Sequence, residues 1–224
     1  MKKNIILVTV LCLCFANSFA QTILWDSTGD KRLTFLQGVN RMNVAFSFYS
    51  VMINGKTENE FLEKRQDEFN DKKKGRGDDF VGHWQEVKGK RYPSHFLKSF
   101  KKTAKKKMKI SEGNDLPYKL IVRLSKAKTG EGIYVKTKPA VAEFQIQFVE
   151  TSSGKVLASG RILNCKGMAK AKSNLGSQGQ VLRIVAAVQN TDVANRIAQC
   201  YDVAATATAK YVIRYNKEKN KAKR

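Results

Sequence analysis

The middle of the chain alternates between apolar and polar positions with a period of two. Residues 118–125 and 142–148 both show this alternation, which predicts strands with one buried face. Residues 151–154, Thr-Ser-Ser-Gly, predict a hairpin turn into a third strand at 155–163. Because the two faces differ in each strand, the pattern predicts an antiparallel sheet that is covered on one side.

The amino-terminal half predicts one strand followed by one helix. Residues 43–53 alternate well enough for a strand, whose apolar face is formed by Val44, Phe46, Phe48 and Met52. Thr57 and Glu60 have the spacing of a capping box, which predicts a helix over 57–72 that buries Phe61, Leu62 and Phe69. The charged, glycine-containing residues 73–79 predict a loop.

A second helix, predicted over residues 93–108, is rich in lysine. Pro93 suits the first turn of a helix, and an apolar stripe recurs at spacings of three or four: Leu97, Phe100, Ala104 and Met108. Beside it lie lysines that can neutralise phosphates or carboxylates: Lys98, Lys101, Lys102, Lys105, Lys106 and Lys109. We interpret them as a candidate anion-binding face. The alternative is a solvated helix face whose like charges are tolerated.

The carboxyl-terminal part predicts a loop and a long helix. Residues 167–179 are rich in Gly, Ser and Lys, which is typical of a loop. From Gln180 the pattern is helical, with one face formed by Val193, Ile197, Tyr201, Ala204, Thr208, Tyr211 and Tyr215. Residues 216–224 predict a disordered basic tail. The whole pattern predicts a single α+β domain over residues 21–215, with helices on one face of a mainly antiparallel sheet.

Residues 1–20 have the features of a cleaved signal peptide. Two lysines precede a short apolar run, and Ser18-Phe19-Ala20 supplies small residues for cleavage before Gln21. The run is shorter than the ~20 apolar residues that a transmembrane helix needs. Lipoprotein processing at Cys12 or Cys14 is a third alternative, although a bulky leucine precedes each cysteine. We therefore expect a periplasmic or secreted protein with no transmembrane segment in the mature chain.

The chain is strongly basic, which bears on its partners. The full chain has a formal charge of +23, and removal of the two signal-peptide lysines leaves +21. A surface of this charge attracts phosphate- or carboxylate-bearing polymers and surfaces. In the envelope these are lipopolysaccharide phosphates, anionic lipids and acidic polysaccharides, and an envelope protein partner is a further candidate. Nucleic acid is disfavoured by the compartment and by the lack of basic residues interleaved with exposed aromatics.

Cys165 and Cys200 are the cysteines of the predicted mature chain. In an oxidising compartment they could form a disulfide, which would constrain the unfolded chain by roughly 3–4 kcal/mol in the loop-entropy model. The alternative is a pair of buried thiols that form no bond with each other. Both alternatives stay open, because disulfide connectivity is not readable from sequence.

The titratable residues form no recognisable enzyme or metal site. Asp78, Asp79 and His83 lie close in sequence but lack the Cys/His spacing of a metal site, and we expect no cofactor. Neither mature cysteine has a catalytic signature around it, and no Gly-x-Ser-x-Gly elbow is present. Residues 75–78, Gly-Arg-Gly-Asp, predict a turn. Gly176-Ser-Gln-Gly179 lacks the Gly-Lys-Ser/Thr ending of a phosphate-binding loop.

Two stretches of the chain resemble known groups of proteins. The first carries Phe35-Leu36-Gln37-Gly38, Met42-Asn43-Val44, Glu68-Phe69-Asn70, Trp84 and Tyr92-Pro93. It resembles a group of secreted, uncharacterised proteins of Bacteroidetes. The second carries Tyr118-Lys-Leu-Ile-Val122, Ser153-Gly154-Lys155-Val156-Leu157 and Ala209-Lys210-Tyr211-Val212. It is similar to the α/β domain of envelope lipoproteins related to the curli-export lipoprotein and to the amino-terminal domain of TolB, but it lacks their lipobox cysteine.

These observations favour a non-catalytic, exported cell-envelope protein that binds another envelope component. One alternative is an enzyme that acts on an anionic envelope polymer, with Asp78, Asp79, His83 or His95 in its site. The other alternative is a structural partner in an export or assembly complex that uses a sheet edge. Clustering of the acids and histidines in a pocket would favour the enzyme.

Overall fold

A computed structural model describes residues 23–130, 132–133, 136–167 and 192–222. Within them the strands are β1 (Ile23–Gly29), β2 (Arg41–Ser47), β3 (Met52–Ile53), β4 (Lys56–Thr57), β5 (Lys109–Glu112), β6 (Tyr118–Lys128), β7 (Gly132–Ile133), β8 (Lys136–Thr137), β9 (Ala140–Glu150) and β10 (Val156–Gly167). The α-helices are α1 (Glu58–Asn70), α2 (Arg76–Glu86), α3 (Tyr92–Ala104) and α4 (Val193–Ala222). A 3₁₀ turn spans Thr34–Leu36, and a π-helical segment, Val87–Arg91, joins α2 to α3.

The main sheet of the described residues has the order β1-β10-β9-β6-β2-β5, and β3 and β4 extend it beside β6. The pairs from β1 to β6 are antiparallel, whereas β2 runs parallel to both of its neighbours, β6 and β5. The predicted α+β class with a mainly antiparallel sheet is therefore confirmed. The parallel part arises because the helices α1 to α3 carry the chain from β2 back to β5 on the same edge.

The strands β6, β9 and β10 form a meander around the predicted hairpin. Leu120 pairs with Phe148 and Val122 with Ile146, and all four side chains are buried. Apart from Val149, their neighbours along each strand are only partly buried, as a sheet covered on one face requires. Gly154 takes a φ of 70° in the turn between β9 and β10, which a glycine adopts without strain. The two strands predicted from alternation and the third predicted from the hairpin turn are confirmed, and each ends later than expected.

The strand predicted over 43–53 is wrong as one element. β2 ends at Ser47, and Ser50 turns the chain with a φ of 53° before the short strand β3. Asn43 is fully buried in β2, and hydrogen bonds satisfy its side-chain amide. Its Nδ2 donates to Asp115 Oδ1 at 2.9 Å, and its Oδ1 accepts from the Leu116 amide at 2.7 Å.

The predicted capping box opens α1. The Thr57 amide donates to Glu60 Oε2 at 2.7 Å, and the Glu60 amide donates to Thr57 Oγ1 at 3.3 Å. These bonds satisfy amides that have no partner within the helix. The helix buries Phe61 and Leu62 and leaves Phe69 half-buried.

The loop predicted over 73–79 is wrong in its second half, because α2 begins at Arg76. Gly75 precedes the helix with a φ of 86°. Asp78 and Asp79 occupy the first turn, where carboxylates are stabilised by the helix dipole. Gly77 permits close packing on α1, since a Cβ at that position would lie 2.1 Å from the Gln66 carbonyl oxygen.

The helix predicted over 93–108 ends four residues early. α3 stops at Ala104, and Lys105 adopts a φ of 52° and a ψ of −125°, which turns the chain toward β5. Met108 is buried beyond the helix rather than within it. The expected lysine stripe is therefore helical only at Lys98, Lys101 and Lys102. The other members lie in the turn (Lys105, Lys106) and on β5 (Lys109).

The long helix α4 packs across β9, β10 and α3. Its predicted face is confirmed, with Ile197, Tyr201, Ala204 and Thr208 buried. Gly167 ends β10 so close to this helix that a Cβ there would lie 2.0 Å from the Arg196 carbonyl oxygen. The rest of the loop predicted over 167–179, and the start of the helix predicted from Gln180, lie outside the described residues. The helix includes residues 216–222, which the sequence predicted as part of a disordered tail.

Across the described ranges, the structure contains no helix that is both long and apolar enough to cross a bilayer.

Candidate functional site

A groove of about 1370 Å³ lies between α3 and the edge strand β5. Its described lining comes from four stretches of chain: the start of β2, the π-helical segment, α3, and the turn into β5. These residues are Asn40, Arg41, Gly89, Lys90, Pro93, Ser94, Leu97, Lys98, Lys101, Lys105, Lys106, Met108, Lys109, Ile110, Ser111 and Glu112. We call this the α3–β5 groove.

The local fold explains why these stretches meet. α3 packs against β5 across the short turn that begins at Lys105. The Lys107 amide donates to the Ala104 carbonyl at 3.0 Å within the turn. The Lys109 amide donates to the Asn40 carbonyl at 2.9 Å, and the parallel register sets Arg41 beside Lys109. The pairing of β2 with β5 therefore adds a distant arginine to the lysines around the turn.

The charge of the groove is strongly one-sided. Among its described lining residues, the cationic side chains are Arg41, Lys90, Lys98, Lys101, Lys105, Lys106 and Lys109, against one carboxylate, Glu112. All of these cations are exposed residues, so each keeps its hydration when the groove is empty. Lysine ammonium groups on long stems act as mobile point charges that suit phosphate or carboxylate.

The floor of the groove is aliphatic. Pro93 and Met108 are buried, whereas Leu97 and Ile110 are half-buried and pack against the core with their other side. The methylene stems of the surrounding lysines can extend this apolar surface. None of the described lining residues is aromatic.

A smaller basic pocket, of about 510 Å³, lies on the other side of the same turn. It is lined by Thr103, Ala104, Lys105, Lys107, Lys210, Ile213 and Arg214. Lys105 lines both the pocket and the α3–β5 groove. Positive charge is therefore continuous around the carboxyl end of α3.

The structure brings most of the predicted anion-binding lysines together, although not on one helix face. Lys98, Lys101, Lys105, Lys106 and Lys109 line the groove, and Lys102 lies outside its lining. Sequence reasoning missed Arg41 and Lys90, which join the groove through the β2–β5 pairing and the π-helical segment. No local pattern indicated either residue, because both contributions depend on tertiary structure.

The residues of the enzyme alternative are engaged in separate pairs. His83 Nε2 lies 2.5 Å from Asp192 Oδ2, and His95 Nδ1 lies 2.8 Å from Asp202 Oδ2. Asp78 accepts a bond of 2.6 Å from the Gln66 amide group. In the described part of the chain, no group of three or more His, Cys, Asp or Glu residues is arranged to hold a metal ion.

A serine also contacts one of these pairs. Ser99 Oγ donates to Asp202 Oδ1 at 2.5 Å, so the carboxylate of Asp202 joins Ser99 to His95. In a Ser-His-Asp triad the serine bonds directly to the histidine base instead. The shared carboxylate of Asp202 ties α3 to α4.

Cys165 on β10 and Cys200 on α4 are both buried and carry free thiols in this structure. Burial raises the pKa of the Cys165 thiol to about 12. Burial also raises the pKa of Cys200, with a smaller contribution from Cys165. Thiols held in their neutral form are poor nucleophiles. The disulfide remains a prediction.

No protein-family model and no curated protein matches the chain. The similar solved structures include the PelC dodecamer from Paraburkholderia phytofirmans, at 13% identity and a TM-score of 0.34, over 78% of this chain and 97% of that one. A variant of the same PelC has 13% identity and a TM-score of 0.28, over 80% and 97%. A DUF330-family protein from Xanthomonas campestris has 8% identity and a TM-score of 0.31, over 90% and 95%. At these TM-scores the chain is not assigned to either group.

Proposed function

We propose that the protein is an exported, non-catalytic cell-envelope protein that binds an anionic envelope component in the α3–β5 groove. The observation that carries the proposal is the concentration of Arg41 and the lysines around one concave surface that has a single carboxylate among its described lining residues. Like charges at this density repel one another, and an anion that neutralises them relieves that repulsion. The separate pairing of His83 and His95 leaves the enzyme alternative without a comparable cluster.

The export part of the proposal rests on the amino-terminal sequence. The lysine pair, the short apolar run and the cleavage site before Gln21 are the features of a signal peptide. An exported basic protein meets lipopolysaccharide phosphates, anionic lipids and acidic polysaccharides, which are the anions that the groove would encounter.

Reversal of the groove charge tests the binding proposal. We expect the variant Lys98→Glu/Lys101→Glu/Lys109→Glu to elute from immobilised lipopolysaccharide and from heparin at lower salt than the unmodified protein. The reason is that three groove cations become anions while Leu97 and Phe100, which pack the helix, are unchanged. Salt should weaken retention steeply, since the Debye length falls from ~10 Å at 0.1 M to ~3 Å at 1 M.

The matched control is Lys72→Glu/Lys73→Glu/Lys74→Glu. It makes the same change in net charge at exposed lysines between α1 and α2, outside the groove lining. The control should retain most of the affinity of the unmodified protein. Equal losses in the two variants would mean that retention reflects net charge alone and would contradict the proposal.

A further inference from the structure

Most of the cations that line the α3–β5 groove lie at one end of it, whereas Lys98 and Lys90 lie further along. Lys101, Lys105 and Lys106 lie at the turn end, and Arg41 and Lys109 face them from the paired starts of β2 and β5. No carboxylate is among the described residues that line this end. The turn end is therefore a cluster of positive charges that no carboxylate among the described lining residues neutralises.

The middle of the groove has a mainly apolar floor, with Lys98 as the cation among its described lining residues. Leu97 lies one helical turn before Lys101 on α3, and Pro93 lies one turn before Leu97. Ile110, the second residue of β5, faces the groove from the strand. From Ala104 back to Pro93 the helix covers about 16 Å, at ~1.5 Å per residue. The apolar floor thus extends away from the charge cluster in one direction.

The far end of the groove is not a second cationic cluster. Glu112 and Ser111 line it from β5, and Ser94 lines it from α3. The cation there, Lys90, lies 3.4 Å from the Glu86 carboxylate. An anionic polymer lying along the whole groove would therefore meet a carboxylate at this end.

We propose that the α3–β5 groove binds an anionic lipid, with its phosphate headgroup at the turn end and an acyl chain on Leu97 and Ile110. This inference rests on the proposed function and names the ligand class. A head-to-tail gradient from charge to aliphatic surface matches an amphiphile. Phosphate and lysine form charge-assisted hydrogen bonds, and burial of methylene groups on the floor adds a hydrophobic contribution.

Other ligand classes fit the groove less well. A ligand recognised by ring stacking would need an aromatic side chain, and the described lining has none. An acidic peptide added as a strand would pair with the open edge of β5. That strand is only four residues long and carries Lys109, and short lysine-bearing edges are typical of strands protected from such pairing.

The test compares alkyl phosphates that differ only in chain length. Isothermal titration of the purified protein would use n-butyl phosphate and n-dodecyl phosphate below its micelle concentration, with inorganic phosphate as the headgroup alone. One fully buried methylene is worth about fourfold in affinity. We expect dodecyl phosphate to bind at least tenfold more tightly than butyl phosphate, and inorganic phosphate to bind no more tightly than butyl phosphate.

Two variants distinguish binding of the phosphate headgroup from binding of the alkyl chain. Leu97→Gln should reduce the dodecyl-to-butyl affinity ratio by at least threefold without weakening butyl phosphate. Lys101→Gln/Lys105→Gln should weaken both phosphates alike and leave the ratio unchanged. The matched control is Leu24→Gln on β1, at the opposite edge of the sheet, where the leucine is already 45% exposed. It should leave the ratio unchanged.

Specific outcomes would overturn the inference. Equal affinities for the two alkyl phosphates, or equal effects of Leu97→Gln and Leu24→Gln, would mean that no acyl chain lies on the floor. If heparin retention still depended on Lys98, Lys101 and Lys109, the proposed function would stand with a polymer as the ligand. If affinity did not depend on alkyl chain length and heparin retention did not depend on these lysines, the inference and the proposed function would be overturned together.

Discussion

Lys105 adopts a backbone conformation that a glycine would adopt more easily. Its φ of 52° and ψ of −125° lie in a region that side-chain-bearing residues rarely occupy, and such a residue costs of order 1–3 kcal/mol. The conformation reverses the chain between α3 and β5, and it leaves the Lys105 side chain lining both basic pockets.

Replacement of Lys105 by glycine should stabilise the fold and weaken anion binding. We expect Lys105→Gly to raise the free energy of unfolding by about 1 kcal/mol, since relief of backbone strain exceeds the entropy that glycine loses on folding. Urea unfolding measures this change, and the same variant should elute from heparin at lower salt. Lys106→Gly is the control, because Lys106 lies in the same turn without a positive φ. A control that gained as much stability would contradict the argument.

At the scale of elements, periodicity identified those strands and helices that carry their own pattern. β6, β9, the hairpin into β10, α1 and the face of α4 all follow from spacing or capping within the element. β5 could not be found in this way, because its four residues form a strand only by pairing with β2. α2 was missed because Gly75 and Gly77 indicate a loop, whereas in the fold they start the helix and let it pack on α1.

The same distinction applies to the candidate site. The lysines of the groove could be predicted, because they are concentrated in one stretch of sequence. Their arrangement could not, because it depends on the end of α3 at Ala104 and on the parallel register that sets Arg41 beside Lys109. Composition therefore predicted the charge of the site, and tertiary pairing determined its shape.

A disulfide between Cys165 and Cys200 would join β10 to α4 through the interior. If it forms in the native protein, alkylation after unfolding without reductant should label no thiol. Reduction should then lower the free energy of unfolding by roughly 3–4 kcal/mol, because the unfolded chain gains conformational entropy when the loop between the cysteines is no longer closed. Calorimetry with and without reductant measures the change, and the variant Cys165→Ala/Cys200→Ala should not respond to reductant. Two labelled thiols in oxidised protein would reject the bridge.

At the scale of the whole molecule, the two edges of the main sheet differ in character. β5 ends the sheet with a lysine-lined groove, and β1 ends it with the exposed Leu24.

β1 packs against the core of the domain. Ile23, its first residue, is buried and pairs with Ile162 of β10. Trp25 stacks on Phe148 and contacts Tyr211 of α4 with ring centroids 4.7 Å apart. The fold therefore needs the chain from Ile23 onward.

This requirement limits where the predicted signal peptide can be cleaved. Cleavage before Gln21 leaves two residues ahead of β1 and keeps every contact of Ile23, whereas cleavage within β1 would remove an edge strand that covers β10. We expect mass spectrometry of the protein from its host to find Gln21, in open or cyclised form, as the first residue. The variant Ala20→Leu should slow processing, because the peptidase reads a small residue there. An intact Met1, a lipid on Cys12 or Cys14, or a first residue beyond Ile23 would contradict export by this route.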